Sequence, residues 1–545
     1  MKRIVVLIIA SLLVIGLVLP GCEAADDFDQ YITLGIAGPM GMAQGTHHMY
    51  GAEMARDEIN DGGAGGVDVG GTIYGIKLVK IDTNEILNPS GADGVTAMSA
   101  NIDNVDFVLG GFRTEAVAVY REVAMEAEKI FMNCGAATGA LQFSVVTNHA
   151  DYKYWFKATP LNEIFLGESN TKLLSMITAA VQMATGNSTW HPTVAIIAED
   201  AIWTKISRDG LYQKLLAKGW LCSGAGLWLV NPVAAVGGMG IVLAGINAVT
   251  PNKPNMIFTI MSGPCGVTYG DMVGTFANLE DVLTVGINVE AQRQEYPSVA
   301  KYAEGMIFLD SWAPGVNITD TTAAFTSAYV TKTGEWPIYT AATYEAILQL
   351  VDNIETANSL VTDTLIPVIE ASTRVGTSGK SGYYPLWDGS TTGANPFGAG
   401  QVPALNQTQV LDLYPWLPDA VYSPDGINKV AWTYNSSDWT MAPHTTHDLV
   451  YGTEWVTGVA SQWQWNGTAL VKTCIWPQVL QPALPSDMPT WLAVLGAGVI
   501  NATTLYSLQA AGLWDQYGWY NFAYDGTVAP DLTDWITWLI ISGQV

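Results

Sequence analysis

Apolar residues gather in short runs along this chain, and each run gives way to a longer stretch in which they return every three or four positions. Residues 31–37, Tyr-Ile-Thr-Leu-Gly-Ile-Ala, read as a buried strand that stops at the loop Gly38-Pro39-Met40-Gly41, and a helix follows through Ala52, Met54, Ala55 and Ile59. After a glycine-rich turn come a strand at 76–81, a helix near 92–102, a strand at 107–110, a helix around 116–127 and a short strand at 130–132. Strand and helix in alternation predict a parallel sheet with crossover connections.

The pattern then restarts. Strands are expected at 193–198, 226–230, 255–261 and 282–289, with helices at 206–218 and 240–249. Two successive blocks of this size predict an α/β chain with two doubly wound lobes, in which ligands bind outside the carboxyl ends of the strands. Residues 384–446, rich in Gly, Pro, Trp and Tyr, read as a long insertion. Residues 455–472 alternate enough to be strands joined at the turn Asn466-Gly467. Residues 478–545 carry many aromatics without a clear period, and their apolar run at 491–500 is too short to span a membrane.

The 545 residues suffice for two or three domains with substantial cores. Only 13% are charged, yet the net charge is −27, an acidic surface that repels nucleic acid and anionic lipid headgroups; no nucleic-acid partner is expected. Lys2 and Arg3, the apolar stretch 4–19 and the tetrapeptide Leu19-Pro20-Gly21-Cys22 have the layout of a secretory signal with a lipobox. The stretch is short for a bilayer-crossing helix, which takes roughly 20 residues. Cys22 is therefore the expected lipid-attachment residue, although Pro20 is unusual in a lipobox and an uncleaved N-terminal anchor is the alternative. Both readings place the chain outside the cell membrane and tethered to it. Cys134, Cys222, Cys265 and Cys474 are far apart and lack the spacing of zinc or redox motifs; export permits disulfides but the sequence does not pair them. Six Asn-x-Ser/Thr sequons, at Asn187, Asn317, Asn406, Asn435, Asn466 and Asn501, arise readily by chance in a chain rich in these residues and say nothing of function.

Several ordered motifs resemble one family. They are G-P-M-G-M-A-Q-G (38–45) followed by Y-G-A-E-M-A-R-D-E-I-N (50–60), then V-D-F-V-L-G-G-F-R-T (105–114) and N-C-G-A-A-T (133–138). Further on come A-E-D-A-I-W (198–203), V-G-I-N-V-E (285–290), A-E-G-M-I (303–307), T-Y-E-A-I (343–347) and P-L-W-D-G (385–389). In this order, over residues 32–388 and again at 456–477, they resemble the type I periplasmic-fold solute-binding proteins of branched-chain amino acid, amide and urea ABC importers. The resemblance implies two Rossmann-like lobes joined by a hinge of three crossings. Lobe 1 would comprise residues 28–157 and 308–384, lobe 2 residues 158–307 and 456–477. Residues 1–22 would be the signal, 385–455 an insertion and 478–545 a C-terminal extension. The implied function is extracytoplasmic capture of a small polar ligand, an amino acid or related amide or carboxylate, for ABC permease subunits. The protein would work at the outer face of the cytoplasmic membrane, held by a lipid anchor.

A zwitterion enclosed between lobes loses water from both charges, so donors must meet its carboxylate and acceptors its ammonium. Thr114 and Thr138 each follow a predicted strand at a helix start, where a hydroxyl and backbone N–H groups can converge on an anion; both also suit a helix N-cap. Glu290 resembles the family's ammonium acceptor but can equally pair with Arg293, and Ala136 would add its carbonyl. Trp203 lies where members place a covering aromatic, and can equally be a core residue. Ser262 and Gln44 complete the set. Arg113 departs from the small polar residue usual there; its guanidinium either binds a second carboxylate or is solvated.

Three other functions compete with this reading. Catalysis has its footholds at Cys134-Gly135 and at His444, His447 and Asp448, but Cys134 lacks a recognisable His partner and the histidines lie in the irregular insertion without a helical frame. Gly379-Lys380-Ser381 is not a P-loop, since Arg374 stands where the leading Gly belongs. No enzyme activity, cofactor or metal is therefore expected. The aromatics after 383 would also suit a carbohydrate-binding surface, and a sensor subunit would use the same binding fold.

Overall fold

β1 (Gln30–Gly38) keeps Ile32, Leu34, Ile36 and Ala37 out of solvent, as a strand does when both faces of a parallel sheet are covered. The computed structural model containing it describes residues 28–61, 65–159, 162–163, 166–167, 169–170, 173–174, 177–178, 187, 189–234, 236–385, 421–422, 429–430, 445–449 and 458–476. The predicted signal with Cys22, most of the 385–455 insertion with His444, and the whole of 478–545 lie outside the described residues. Among the described residues no helix is long and apolar enough to cross a membrane.

The first sheet joins β1 to β2 (Val67–Val69), β3 (Thr72–Asp82), β4 (Phe107–Gly110), β5 (Phe131–Asn133) and β6 (Trp155–Lys157) in the order β2-β3-β1-β4-β5-β6. All its pairings are parallel except the β2–β3 hairpin. The second sheet contains β7 (Val194–Glu199), β8 (Leu227–Val230), β9 (Met256–Met261), β10 (Leu283–Asn288) and β11 (Ile307–Asp310). Short pairings follow in the chain: β12 (Arg374–Gly376) with β13 (Gly379–Ser381), β14 (Tyr383–Pro385) with β17 (Thr445–Leu449), and β15 (Val421–Tyr422) with β16 (Lys429–Val430). The hairpin β18 (Val459–Trp465) and β19 (Leu470–Trp476), turning at Asn466-Gly467, then adds antiparallel to β11 and completes the order β19-β18-β11-β10-β9-β7-β8.

The two sheets have separate cores, and the chain passes between them three times: after β6, after β11 and before β18. Trp312, Phe325 and the helix Thr343–Ala357 pack into the first core. Phe308 packs in the second, beside Trp463. β11 is thus a strand of the second sheet, and the return to the first lobe follows Asp310 instead of beginning at 308. Its apolar Ile-Phe-Leu run pairs on both edges, with β10 and β18, which leaves it no place in the other lobe.

Each sheet reverses its winding at one point. In the first, the chain builds outward from β1 to β3 and then jumps to β4 on the other side; in the second it goes from β7 to β8 and then to β9. At such reversals the loops at the strands' carboxyl ends splay apart and leave a crevice. Gly110 and Gly111 mark the first one. Both have positive φ, and a side chain at Gly110 would come within 2.1 Å of the Ala37 carbonyl, so only glycine lets β4 turn beside β1.

Candidate ligand-binding cleft

The crevices of the two sheets face each other across a partly open cavity of about 90 Å3. Phe112, Arg113 and Gly135 line it from the first lobe, Trp203 and Ser262 from the second, and Tyr339 from the segment leading into the helix Thr343–Ala357. Phe112 and Tyr339 stack at 6.1 Å between ring centroids.

Hydrogen bonds close the lobes around this space. Gln44, on the helix Ala43–Asp61 that follows β1, donates from Nε2 to Glu290 Oε1 at 2.8 Å and to the Ser262 carbonyl at 3.1 Å. Ile202 N donates to the Glu115 carboxylate, and Tyr339 N to Gln292 Oε1 at 3.1 Å. The Glu290 carboxylate also accepts from Arg293 Nη1 at 2.9 Å, so it serves both the closure and its own lobe.

Three buried carboxylates hold the loops. Glu85 accepts from Phe112 N (3.2 Å), Arg113 N (2.8 Å), Thr83 Oγ1 (2.8 Å) and Tyr120 OH; burial pushes its pKa up to about 7 against the pull of those donors. Glu163 accepts from Thr138 Oγ1 (2.9 Å) and Gly139 N (2.5 Å), and burial likewise raises it to about 7. In the second lobe Glu199 accepts from Ser262 N (2.7 Å), Ser262 Oγ (2.8 Å), Gly263 N (2.6 Å) and Trp203 Nε1 (3.1 Å).

The residues singled out by sequence fall into three groups. Arg113, Trp203 and Ser262 line the cavity. Gln44 and Glu290 meet across the cleft instead of lining the cavity. Thr114, Ala136 and Thr138 are buried in the loops beneath it. The Ala136 carbonyl already receives an ammonium, from Lys157 Nζ at 2.6 Å, together with Asn133 Nδ2 at 2.8 Å. Burial lowers the Lys157 pKa, while Asp448 and Glu163 oppose that shift. Thr138 caps the helix Gly139–Thr147, accepting from Ala140 N at 3.4 Å while it donates to Glu163. Thr114 differs from both. It opens the helix Thr114–Glu126, is 2% exposed, and its hydroxyl has no hydrogen-bond partner among the described residues.

Sequence reasoning missed Glu85, Glu163, Glu199, Phe112 and Tyr339. Glu199 left a signal, an acidic residue ending the otherwise apolar run Val194–Glu199 at a strand's carboxyl end. As for Cys134, burial pushes its thiol up to about 12, which leaves almost no thiolate for nucleophilic work; Cys222 is pushed to about 11 for the same reason.

No protein-family model matches the chain, and no curated sequence does. Solved structures do match in fold. A putative branched-chain amino acid ABC transporter protein from Silicibacter pomeroyi superposes with a TM-score of 0.55 at 16% identity, over 85% of this chain and 100% of that one. A solute-binding protein of an ABC transporter from R. palustris, in complex with benzoate, gives 0.51 at 13% identity over 65% and 89%. The branched-chain amino acid transporter substrate-binding protein LivJ from Streptococcus pneumoniae, in complex with isoleucine, gives 0.50 at 16% identity over 65% and 92%. Two separately wound α/β lobes, three crossings between them and a cavity where their reversals meet give this chain the type I periplasmic binding-protein fold.

Proposed function

We propose that this protein is an extracytoplasmic solute-binding protein that closes its lobes on a small carboxylate with an apolar body, an amino acid or a related acid, and presents it to the permease of an ABC importer. The observation that carries this reading is the cavity with walls from both lobes. A ligand that touches one lobe alone binds open and closed forms equally and shifts neither, whereas contacts from both favour the closed form. Phe112, Trp203 and Tyr339 supply flat apolar faces for the ligand body. Arg113 supplies a cation: its Nε donates to Glu115 at 3.3 Å, and its two terminal nitrogens have no protein partner among the described residues. The isoleucine and benzoate bound by the two structural neighbours are both small carboxylates, in keeping with such a site.

A thermal-shift screen of amino acids, amides, urea and aliphatic and aromatic carboxylates tests the proposal. Small carboxylates should raise the melting temperature, and a protein that responds to none of these classes would sink it. Thr114→Val then gives a sharper result. A buried hydroxyl without a partner costs the protein free energy, so valine should leave its stability unchanged or higher; if the loop shifts so that this hydroxyl meets the ligand, binding loses a donor worth about 1–3 kcal/mol. A variant that is less stable but binds normally would show that the hydroxyl serves the fold.

We also propose that Cys22 carries a lipid that holds the protein at the outer face of the cytoplasmic membrane. Cys22→Ser should release the protein or leave the precursor unprocessed, as read by fractionation and mass spectrometry. Processing and retention equal to the parent would exclude the anchor.

A further inference from the structure

Away from the cleft, three segments distant in sequence bring a histidine, a carboxylate and a second histidine together. His149 belongs to the short helix His149–Tyr152, Glu370 to the last turn of the helix Thr362–Ala371, and His447 to β17. We propose that these three residues bind a zinc ion. None of them lines the ligand cavity, so the proposal stands apart from the transport reading.

The donor atoms all lie within 4.8 Å of one another. Glu370 Oε1 is 2.8 Å from His447 Nε2 and 3.8 Å from His149 Nε2. In a tetrahedral zinc site with bonds of about 2.0–2.1 Å, neighbouring ligand atoms sit roughly 3.3 Å apart. The two observed separations bracket that value, and small side-chain rotations would equalise them.

The state of the His447 ring is fixed from behind. Its Nδ1 lies 2.7 Å from the Trp155 carbonyl, which can only accept, so Nδ1 carries the hydrogen. In the neutral ring Nε2 is then a bare lone pair aimed at a carboxylate oxygen. Two acceptors at 2.8 Å repel unless a positive charge sits between or beside them, and zinc coordinated by both provides it. A histidine that ligates a metal through one nitrogen and donates to a backbone carbonyl through the other is the usual second-sphere arrangement at such sites. The ring is also held in place: it is fully buried and stacks on Phe156 with centroids 3.8 Å apart at an interplanar angle of 13°. His447 adopts a φ of 53°, a left-handed conformation uncommon for a side chain of this size.

The donor set narrows the metal to a divalent transition ion, of which zinc is the one proposed. Two imidazoles and one carboxylate suit a borderline ion such as zinc, whereas calcium and magnesium take oxygen donors almost exclusively. The side chains of His149 and Glu370 retain 21% and 12% exposure, which leaves a side open for entry and for a water as fourth ligand. An ion there would tie β17, the strand on which the chain returns from the insertion, to two helices of the first lobe.

A protonated His447 paired with Glu370 would give the same contact without metal, and the experiment separates the two. The full-length chain, stripped with a chelator, is titrated with zinc chloride by calorimetry, and cobalt(II) is used as a spectroscopic probe. One saturable site per chain is expected, with cobalt bands of tetrahedral intensity and a higher melting temperature in zinc. His149→Gln, at the exposed side of the cluster, should weaken binding by roughly 100-fold or more. Glu370→Gln should do the same, which covers the case in which one variant fails to fold. Absence of a saturable site, or zinc binding that survives in both folded variants, would overturn the proposal, the latter because an ion held elsewhere on the acidic surface would not sense these residues.

Discussion

Lys472→Met is expected to cost about 3–5 kcal/mol of folding stability, the usual effect of leaving a buried charge without its partner. Lys472 Nζ reaches Asp310 Oδ2 at 2.7 Å and the Gln292 carbonyl at 2.8 Å, and both side chains of the ion pair are fully buried. Burial pushes the Asp310 carboxyl up and the Lys472 ammonium down; each offsets the other's shift only in part. Methionine matches the lysine stem but leaves Asp310 with only the Ser311 and Trp312 N–H groups. Chemical denaturation measures the loss, and the double variant Lys472→Met with Asp310→Leu should recover much of it, since the stranded charge goes too. A single variant within about 1 kcal/mol of the parent would mean that water reaches Asp310. The pair also joins β19 to the end of β11, where the chain leaves the second sheet for the first lobe, so the variant should alter the opening of the cleft as well.

The second large effect is expected at Glu199. Its carboxylate gathers the Ser262 and Gly263 N–H groups, the Ser262 hydroxyl and the Trp203 indole, and thereby fixes two residues of the cavity wall. Glu199→Ala strands two backbone donors and the indole, each worth about 1–3 kcal/mol if unmet. Water entering the vacated space replaces part of this, so the expected loss of ligand affinity is about 2–4 kcal/mol, roughly 30- to 1000-fold. Calorimetry with the best ligand of the screen gives the number. Unchanged affinity in a folded variant would mean that Trp203 and Ser262 hold their positions without the carboxylate.

Most strands of the two sheets were legible as short apolar runs bounded by turn residues, whereas β2, β6 and β11, of three or four residues each, were not singled out. The run expected at 193–198 is β7, one residue shifted, and that expected at 255–261 is β9 less its first residue. The hairpin at Asn466-Gly467 was legible from its turn, and the family resemblance implied its place in the second lobe, but neither said that it pairs with β11. The boundary at 307/308 misled because a hinge crossing has no compositional mark when the strand before it is as apolar as the lobe beyond. The loops of the cleft could be located, since reversals in strand order put them there. Which carboxylate takes which donor could not be read, because Glu85 reaches Phe112 and Arg113 only through the β3-β1-β4 order, and Gln44 reaches Glu290 only when two lobes close. In sequence His447 has His444 and Asp448 as neighbours; His149 and Glu370 come to it only through the fold.

The late hairpin also sets a timetable. A chain made or threaded amino end first presents β7 through β11 long before β18 exists, and until then β11 keeps an open edge. The first lobe waits too, because Trp312, Phe325 and the helices Thr343–Ala357 and Thr362–Ala371 complete its core only after the whole second block has appeared. Neither half can lock early, and the long loops that must close before either core is finished make folding slow. If the chain is exported as proposed above, that delay would protect it against premature collapse before it has crossed the membrane.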